Sequence, residues 1–282
     1  MRLFLLTALA MLAFAANSVL NRMAVGAGSI DPVMFALVRL AAGAAMLSVL
    51  VLARQVRWGD VVWPGAAGRL AGVTGLLTYL FFFSMAYLSL DAGVGALFLF
   101  GSVQITMFAG ALVAREPVPI LRWIGAGLAL LGLVMLATPG FGAGLGAASV
   151  LMALAGVGWG IYSLAGRRAR DPLAATAANF VLALPIALGL AWLLPASGVV
   201  ASHAGMALAI LSGAVTSGLG YALWYALVPD LGAARAAVAQ LTVPVIAASA
   251  GALMLGEAMS FQFMLATALV LSGVAMAALA RG

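Results

Sequence analysis

Aromatic and neutral polar residues recur at the spacing of one helix face in several apolar segments. In the first half Asn17, Ser18 and Asn21 lie three, four and seven positions after Phe14, and the second half has Trp159, Tyr162 and Ser163. Residues three, four or seven positions apart lie on the same side of a helix. Aromatic faces accept flat apolar groups, and amides and hydroxyls bond charged or polar groups. These stripes predict a pocket for an amphiphilic small molecule.

Similar stripes on other segments extend the predicted pocket. The predicted binding residues are Asn17, Ser18, Tyr79, Phe83, Phe98, Ser102, Trp159, Tyr162, Ser163, Tyr221, Trp224, Gln240 and Thr242. The alternative is that Tyr and Trp anchor helix ends at the membrane surface, and that Ser and Thr bond their own helix backbone. Tyr79 and Tyr221 lie well inside their segments, which favours the pocket.

Arg39 is a charged residue inside a predicted membrane-spanning helix, about two helical turns beyond Asp31. An arginine at that depth is costly unless it reaches the surface or pairs with another group. We expect a structural role near the outer surface, with Asp31 or Asp91 as partner. A gating ion pair is the alternative.

Three further residues are predicted to have gating or structural roles. Pro244 lies in the middle of a predicted helix, where a proline frees a backbone carbonyl and makes a kink. That kink is interpreted either as a hinge or as a ligand contact. Glu116 and Glu257 end equivalent helices on opposite sides, and neither is predicted to be buried. The sequence therefore predicts no titrating carboxylate inside the pathway, which favours efflux down a gradient, or else ion coupling through a residue that the sequence does not identify.

The counts of reactive residues exclude most catalytic chemistry. The chain has no Cys and a single His, His203, and all thirteen basic residues are Arg. A thiolate nucleophile and a lysine Schiff base are therefore excluded, and a histidine metal cluster is not expected. We predict no catalytic residue, no metal site, no cofactor and no enzymatic activity. A polytopic membrane enzyme is the least favoured alternative.

The elements that carry these residues must lie in a membrane, because 66% of the chain is apolar and 7% is charged. About 20 apolar residues span a bilayer as a helix. The sequence predicts ten spans, at about 3–24, 31–53, 66–88, 91–114, 119–138, 147–167, 173–194, 204–227, 231–254 and 259–280. With the N-terminus inside, eleven arginines fall inside and Arg22 falls outside. This bias predicts cytoplasmic termini, in a bacterial inner membrane.

The chain repeats itself after about 140 residues. Asp31 and Asp171 each precede a proline, and Glu116 and Glu257 each follow an Ala-Leu pair at the same distance. Each predicted unit has five helices, an odd number, so the second unit enters the membrane inverted. Inverted repeats open a shared site to each side in turn. The two predicted domains are residues 1–138 and 139–282.

Several motifs resemble the drug/metabolite transporter superfamily, EamA type. They are the stretch 31–39, the Gly256-Glu257 ending, the 125–132 glycine pattern and Trp159-Gly160. The first half departs from the pattern, because Phe14 and its neighbours stand where Trp-Gly is expected. The aromatic third helix looks most like the YddG-type exporters of aromatic amino acids. The resemblance implies a central cavity lined by helices 1, 3, 4, 6, 8 and 9, and efflux of small metabolites.

The leading hypothesis is therefore a carrier that exports small organic metabolites, with aromatic or other neutral amino acids as cargo. Other amphiphilic cargo remains an alternative: drugs, lipids, or nucleotide and sugar derivatives. An ion channel is disfavoured, because rings of charge or exposed carbonyls are expected in a channel. The predicted partners are the cargo and the lipid bilayer, and no nucleic acid. A monomer suffices, because the repeat supplies its own interface.

Overall fold

All regular secondary structure among the described residues of the computed structural model is helical. The described residues are 1–59, 65–66, 68–115, 118–137, 146–167, 169–194 and 198–279. The helices of the first half are α1 Arg2–Asn21 with a π-helical end Arg22–Gly26, α2 Pro32–Trp58, α3 Arg69–Ala86, α4 Ala92–Val113 and α5 Ile120–Ala137. Those of the second half are α6 Ala147–Gly166, α7 Pro172–Leu193, α8 His203–Leu211, a π-helical segment Ser212–Leu219, α9 Gly220–Gln240, α10 Thr242–Leu255 and α11 Phe261–Leu279.

The predicted polytopic membrane fold is confirmed. Seven helices in the described part of the chain are long and apolar enough to cross a membrane, and three shorter apolar helices complete the predicted set. Large apolar side chains cover the outside of the bundle, among them Val49, Leu188 and Leu253, which are 61%, 54% and 87% exposed. Such an apolar surface fits lipid tails and not water. The helical backbone also suits lipid, because its hydrogen bonds are satisfied within each helix.

The break between the predicted eighth and ninth spans lies elsewhere. Helix α9 continues through Pro229, and the chain turns at Leu241 instead. A proline removes one hydrogen bond and kinks a helix without always ending it. Pro244, predicted in mid-helix, lies in the first turn of α10. The backbone N–H groups of a first turn have no partner within the helix, so the missing N–H of Pro244 breaks no hydrogen bond of α10.

The repeated Asp-Pro pair is a helix start. The Asp31 carboxylate accepts hydrogen bonds from the backbone N–H groups of Val33, at 2.8 Å, and Met34, at 3.2 Å. Asp171 accepts the N–H of Ala174 at 3.0 Å. Both carboxylates cap helices that begin with a proline, which is favoured at the first helical position. The motif therefore sets the start of α2 and of α7.

The helices of the two halves contact each other in matching pairs. Helix α6 packs against α3 and α4, and α1 packs against α9 and α10 in the same way. Helices α3 and α6 come close where Gly75 faces Gly158. A Cβ atom at Gly75 would lie 2.7 Å from the carbonyl oxygen of Gly158, and one at Gly158 would lie 2.8 Å from that of Gly75. Small residues allow such approach of helix backbones in membranes.

Candidate functional site

A small cavity lies where both halves meet. Its volume is about 20 Å³, room for about one water molecule. The lining residues are Phe14, Asn17, Ser18, Tyr79, Phe83, Leu99, Phe100, Trp159 and Tyr221. They come from α1, α3, α4, α6 and α9, which correspond to five of the six helices that the resemblance implies. Side chains of α10, the ninth predicted span, are not among the described lining residues.

Aromatic rings form the wall of this cavity, with Trp159 at their centre. The Trp159 ring lies 4.9 Å from the ring of Tyr79 and 5.1 Å from that of Tyr221, both tilted. Behind it, Tyr162 stacks on Trp159 at 5.1 Å. Phe14 meets the edge of Tyr221 at 5.7 Å. Rings at these distances form a continuous apolar surface, and Tyr79, Trp159 and Tyr221 bring α3, α6 and α9 together.

Asn17 holds the polar side of the site together. Its Oδ1 atom accepts hydrogen bonds from the hydroxyls of Ser212, at 2.8 Å, Thr216, at 2.6 Å, and Ser217, at 3.3 Å. All four side chains are buried. The three hydroxyls belong to the π-helical segment, and such segments occur frequently at functional sites. This amide therefore fixes the irregular segment against α1.

Arg39 lies inside the bundle, next to the cavity wall. It is fully buried, at 0% exposure, and its partners are neutral. Nε donates to the Ser217 hydroxyl at 3.0 Å, and Nη2 donates to the Tyr79 hydroxyl at 2.7 Å. The guanidinium carbon lies 5.1 Å from the ring centres of both Tyr79 and Phe83. The predicted partnership with Asp31 or Asp91 is wrong, because the inward face of α2 points Arg39 to α3 and the π-helical segment.

An ion pair joins helix ends at one end of the bundle. Nε of Arg22, at the end of α1, lies 3.2 Å from Oε1 of Glu257, in the turn between α10 and α11. Oε2 of Glu257 accepts the backbone N–H of Ala92 at 2.8 Å, at the start of α4. Asp91 lies 3.5 Å from Nη2 of Arg22. We call Arg22, Asp91 and Glu257 the clasp, because they join α1, α4 and α10.

Glu257 is more enclosed than the sequence suggests, with its side chain 10% exposed. Burial and the nearby Asp91 raise the pKa of this carboxyl above its ordinary value, although the Ala92 N–H and Arg22 act in the opposite direction. The residue as a whole is half-buried, in a position between α1, α4 and α10. Glu116, its counterpart in the other half, lies outside the described residues.

The other predicted binding residues do not line the cavity. Tyr162 and Trp224 form a second layer, where Trp224 meets the edge of Phe14 at 5.6 Å. Ser163 donates to the carbonyl of Trp159 in its own helix, and Thr242 is exposed and donates to that of Ala239. Phe98, Ser102 and Gln240 also lie outside the lining; Ser102 packs against Gly156 of α6. For these residues spacing alone did not distinguish a pocket face from a packing face.

Several residues of the site were missed by sequence reasoning. Arg22 entered it only as a topology signal, and the three hydroxyl residues of the π-helical segment were not selected. Asn21 was not missed, because it shares the helix face of Asn17; it donates to the Ser84 hydroxyl at 2.9 Å, while its Oδ1 has no hydrogen-bond partner among the described residues. The dense run of Ser and Thr at 212–217 is an available signal, because buried hydroxyls need partners.

A wider cleft of about 580 Å³ lies near the clasp, between the starts of α4, α6 and α11. Its described lining includes Asp91, Ser149, Ser260 and Gln262. Its described lining has one aromatic side chain, Phe263, whereas that of the smaller cavity has six. The aromatic cavity is therefore the candidate site.

Comparisons with known proteins agree with this architecture. An uncharacterized protein of Pseudomonas aeruginosa is 46% identical over 98% of this chain and 94% of its own length. An uncharacterized transporter of Archaeoglobus fulgidus is 24% identical over 87% of this chain and 88% of its own. A crystal structure with 21% identity has the same fold, with a TM-score of 0.70 over 98% of this chain and 95% of that one. The sequence model of the EamA-like transporter family matches residues 1–138 and 146–279. The chain belongs to the EamA-like transporter family.

Proposed function

We propose that this membrane transporter exports small amphiphilic metabolites, with aromatic and other neutral amino acids as its cargo, by alternating access. The observation that carries the proposal is the aromatic cavity, in which Tyr79, Trp159 and Tyr221 meet the polar side chains Asn17 and Ser18. Aromatic walls suit a flat apolar side chain. Amide and hydroxyl groups suit the charged ends of an amino acid. The likeness of α3 to the YddG-type exporters of aromatic amino acids points to the same cargo.

The proposed mechanism uses two inverted repeats, residues 1–138 and 139–282. The double family match and the matching helix contacts across the two halves support this division. A cavity between such repeats is exposed to each side in turn as one repeat rocks against the other. Since both walls come from one chain, we propose that the transporter acts as a monomer.

We propose that the clasp lies on the outer side of a bacterial inner membrane, with both termini in the cytoplasm. The excess of arginine at the opposite ends of the helices supports this orientation. With the clasp bonded and a cavity of about 20 Å³, this is a state closed to the outside. The cavity must therefore widen to admit an amino acid, which gives the clasp its proposed function as the outer gate.

Counterflow in liposomes that hold only this protein tests the cargo. We expect saturable exchange of phenylalanine, tyrosine or tryptophan, and slower exchange of small polar amino acids. The variant Trp159→Ala should lose most exchange, because it removes the ring at the centre of the wall. Trp192→Ala is the matched control, since Trp192 is 86% exposed on α7. Exchange of no amino acid, or equal loss in both variants, would contradict the proposal.

A further inference from the structure

Arg39 carries a positive charge that the surrounding protein does not balance. It is fully buried, and arginine stays protonated inside proteins. Among the described residues no carboxylate pairs with it; its neighbours are the hydroxyls of Ser217, Tyr79 and Tyr221 and two aromatic rings. Rings and hydroxyls recover only part of the hydration that a buried guanidinium loses. A charge in this position is retained at a cost in stability, which indicates a function beyond packing.

The unused donors of Arg39 define what it can bind. A guanidinium has five N–H groups, of which Nε and Nη2 supply one each to Ser217 and Tyr79. Nη1 has no hydrogen-bond partner among the described residues, although it is buried. Nη1 and Nη2 together form an edge that matches a carboxylate with two parallel hydrogen bonds.

Tyr79 connects this arginine to the cavity. Its hydroxyl accepts a hydrogen bond from Nη2 and lies beside the hydroxyl of Tyr221, another residue of the cavity lining. Its ring, with that of Phe83, is both part of the cavity wall and part of the aromatic cover over the guanidinium. A group that enters between these two rings reaches the charge with little further movement.

We propose that Arg39 binds the carboxylate of the cargo, with the Tyr79 hydroxyl as a second donor, and that the cargo class is aromatic carboxylates. The proposal rests on the proposed function and adds a requirement for an anionic group. It also explains why the site lacks an internal acid in the described residues: the cargo supplies the counter-charge as it binds.

Binding to the purified protein in detergent tests this with phenylalanine and phenylalanine amide, which differ only at the carboxylate. We expect the wild type to bind phenylalanine at least about tenfold more tightly, the scale of a charge-assisted hydrogen bond. Arg39→Gln should bind both within about twofold of each other. Arg39→Lys should keep part of the preference, because it retains the charge but not the two-pronged geometry.

A purely structural Arg39 would give a different result. The glutamine variant would then lose affinity for acid and amide by the same factor, or keep the wild-type preference, and either outcome overturns the proposal. If that variant does not fold, thermal shifts of the wild type decide. 3-Phenylpropionate should stabilise it and 2-phenylethylamine should not, and the reverse order overturns the assignment.

The two proposals can fail separately. A wild type that binds neither phenylalanine nor its amide overturns the amino-acid cargo. In that case 3-phenylpropionate against its neutral amide still tests the carboxylate site, and equal binding of these two overturns it.

Discussion

Two buried or half-buried arginines of this protein lie in opposite electrostatic surroundings. Arg22 contacts two carboxylates, those of Glu257 and Asp91, at one end of the bundle. Arg39 is fully buried beside the cavity and contacts only neutral groups. The same side chain thus appears once with its counter-ions in place and once without them.

This difference indicates which charge is available to a ligand. A paired arginine at a helix end joins elements, here α1, α4 and the turn after α10. An arginine without a carboxylate, in a region of low dielectric, attracts any anion that reaches it. The first therefore fits a gate, and the second fits a binding residue.

A substitution that places a carboxylate beside Arg39 should remove the electrostatic difference between Arg39 and Arg22. Asn17→Asp places a carboxylate close to Arg39, with only the Ser217 hydroxyl between them, because that hydroxyl bonds both Asn17 and Arg39. At an effective dielectric constant of about 20 this charge should weaken binding of aromatic acids by about 100-fold. Binding of the corresponding amides should change little. Titration of both ligand types measures this.

Asn21→Asp is the matched control for that change. It makes the same substitution one turn along α1, at a residue bonded to Ser84 and not to Ser217. Its effect on acid binding should be clearly smaller. An equal loss of affinity for aromatic acids in the two variants would mean that a charge next to Arg39 has no specific effect on binding.

Removing the carboxylate from the clasp should favour its opening. Glu257→Ala deletes the acceptor of the Arg22 Nε–H and of the Ala92 N–H. Because a partly exposed ion pair contributes about 0–1 kcal/mol, we expect the ratio of open to closed molecules to rise by up to about fivefold. Spin labels at Leu88→Cys and Met259→Cys report the distance across this end. The chain has no other Cys, and both side chains are about half exposed, at 52% and 51%.

Asp91→Ala should open the clasp less. Its carboxylate is 3.5 Å from Arg22 and its side chain is 44% exposed, against 10% for Glu257. A larger effect from Asp91 than from Glu257 would show that the Glu257 contacts do not hold the clasp.

Exchanging the charges of Arg22 and Glu257 should partly restore the closed clasp that a single substitution opens. Arg22→Glu alone should open the clasp, and the double variant Arg22→Glu with Glu257→Arg should recover part of the closed population. Recovery is incomplete because Nη1 of Arg22 also donates to the carbonyls of Tyr87 and Leu88, which a glutamate cannot replace. The same spin-label distance measures this, and a double variant that is more open than either single variant would contradict the pairing.

Acidification should favour the closed clasp. Burial raises the pKa of Glu257 in the closed state above its ordinary value of 4.5, whereas exposure in an open state returns it toward that value. Closing therefore takes up protons, and the closed fraction rises as pH falls from the raised pKa toward 4.5. The expected change is the smallest of these effects, because Arg22 and Ala92 oppose the shift. Glu257→Gln should remove this pH dependence, and an unchanged dependence would assign it to another group.

The sequence predicted those parts of the site that follow helix periodicity. Six of the predicted binding residues line the cavity: Asn17, Ser18, Tyr79, Phe83, Trp159 and Tyr221. These residues lie within apolar helical segments, where an inward face is the place for a polar group. Gln240 and Thr242 lie outside the cavity lining, at the break between α9 and α10 at Leu241, which the apolar pattern did not place there.

The sequence alone determined the class of the molecule. Its apolar fraction, its helix lengths and its internal repetition leave a helical membrane bundle, because lipid requires each segment to satisfy its own backbone. Only the tertiary structure decided which charges have partners. Arg22 and Glu257 are separated by 235 positions, and Arg39 and Ser217 by 178. Pairing at such separations depends on how the helices cross, which periodicity within one helix does not record.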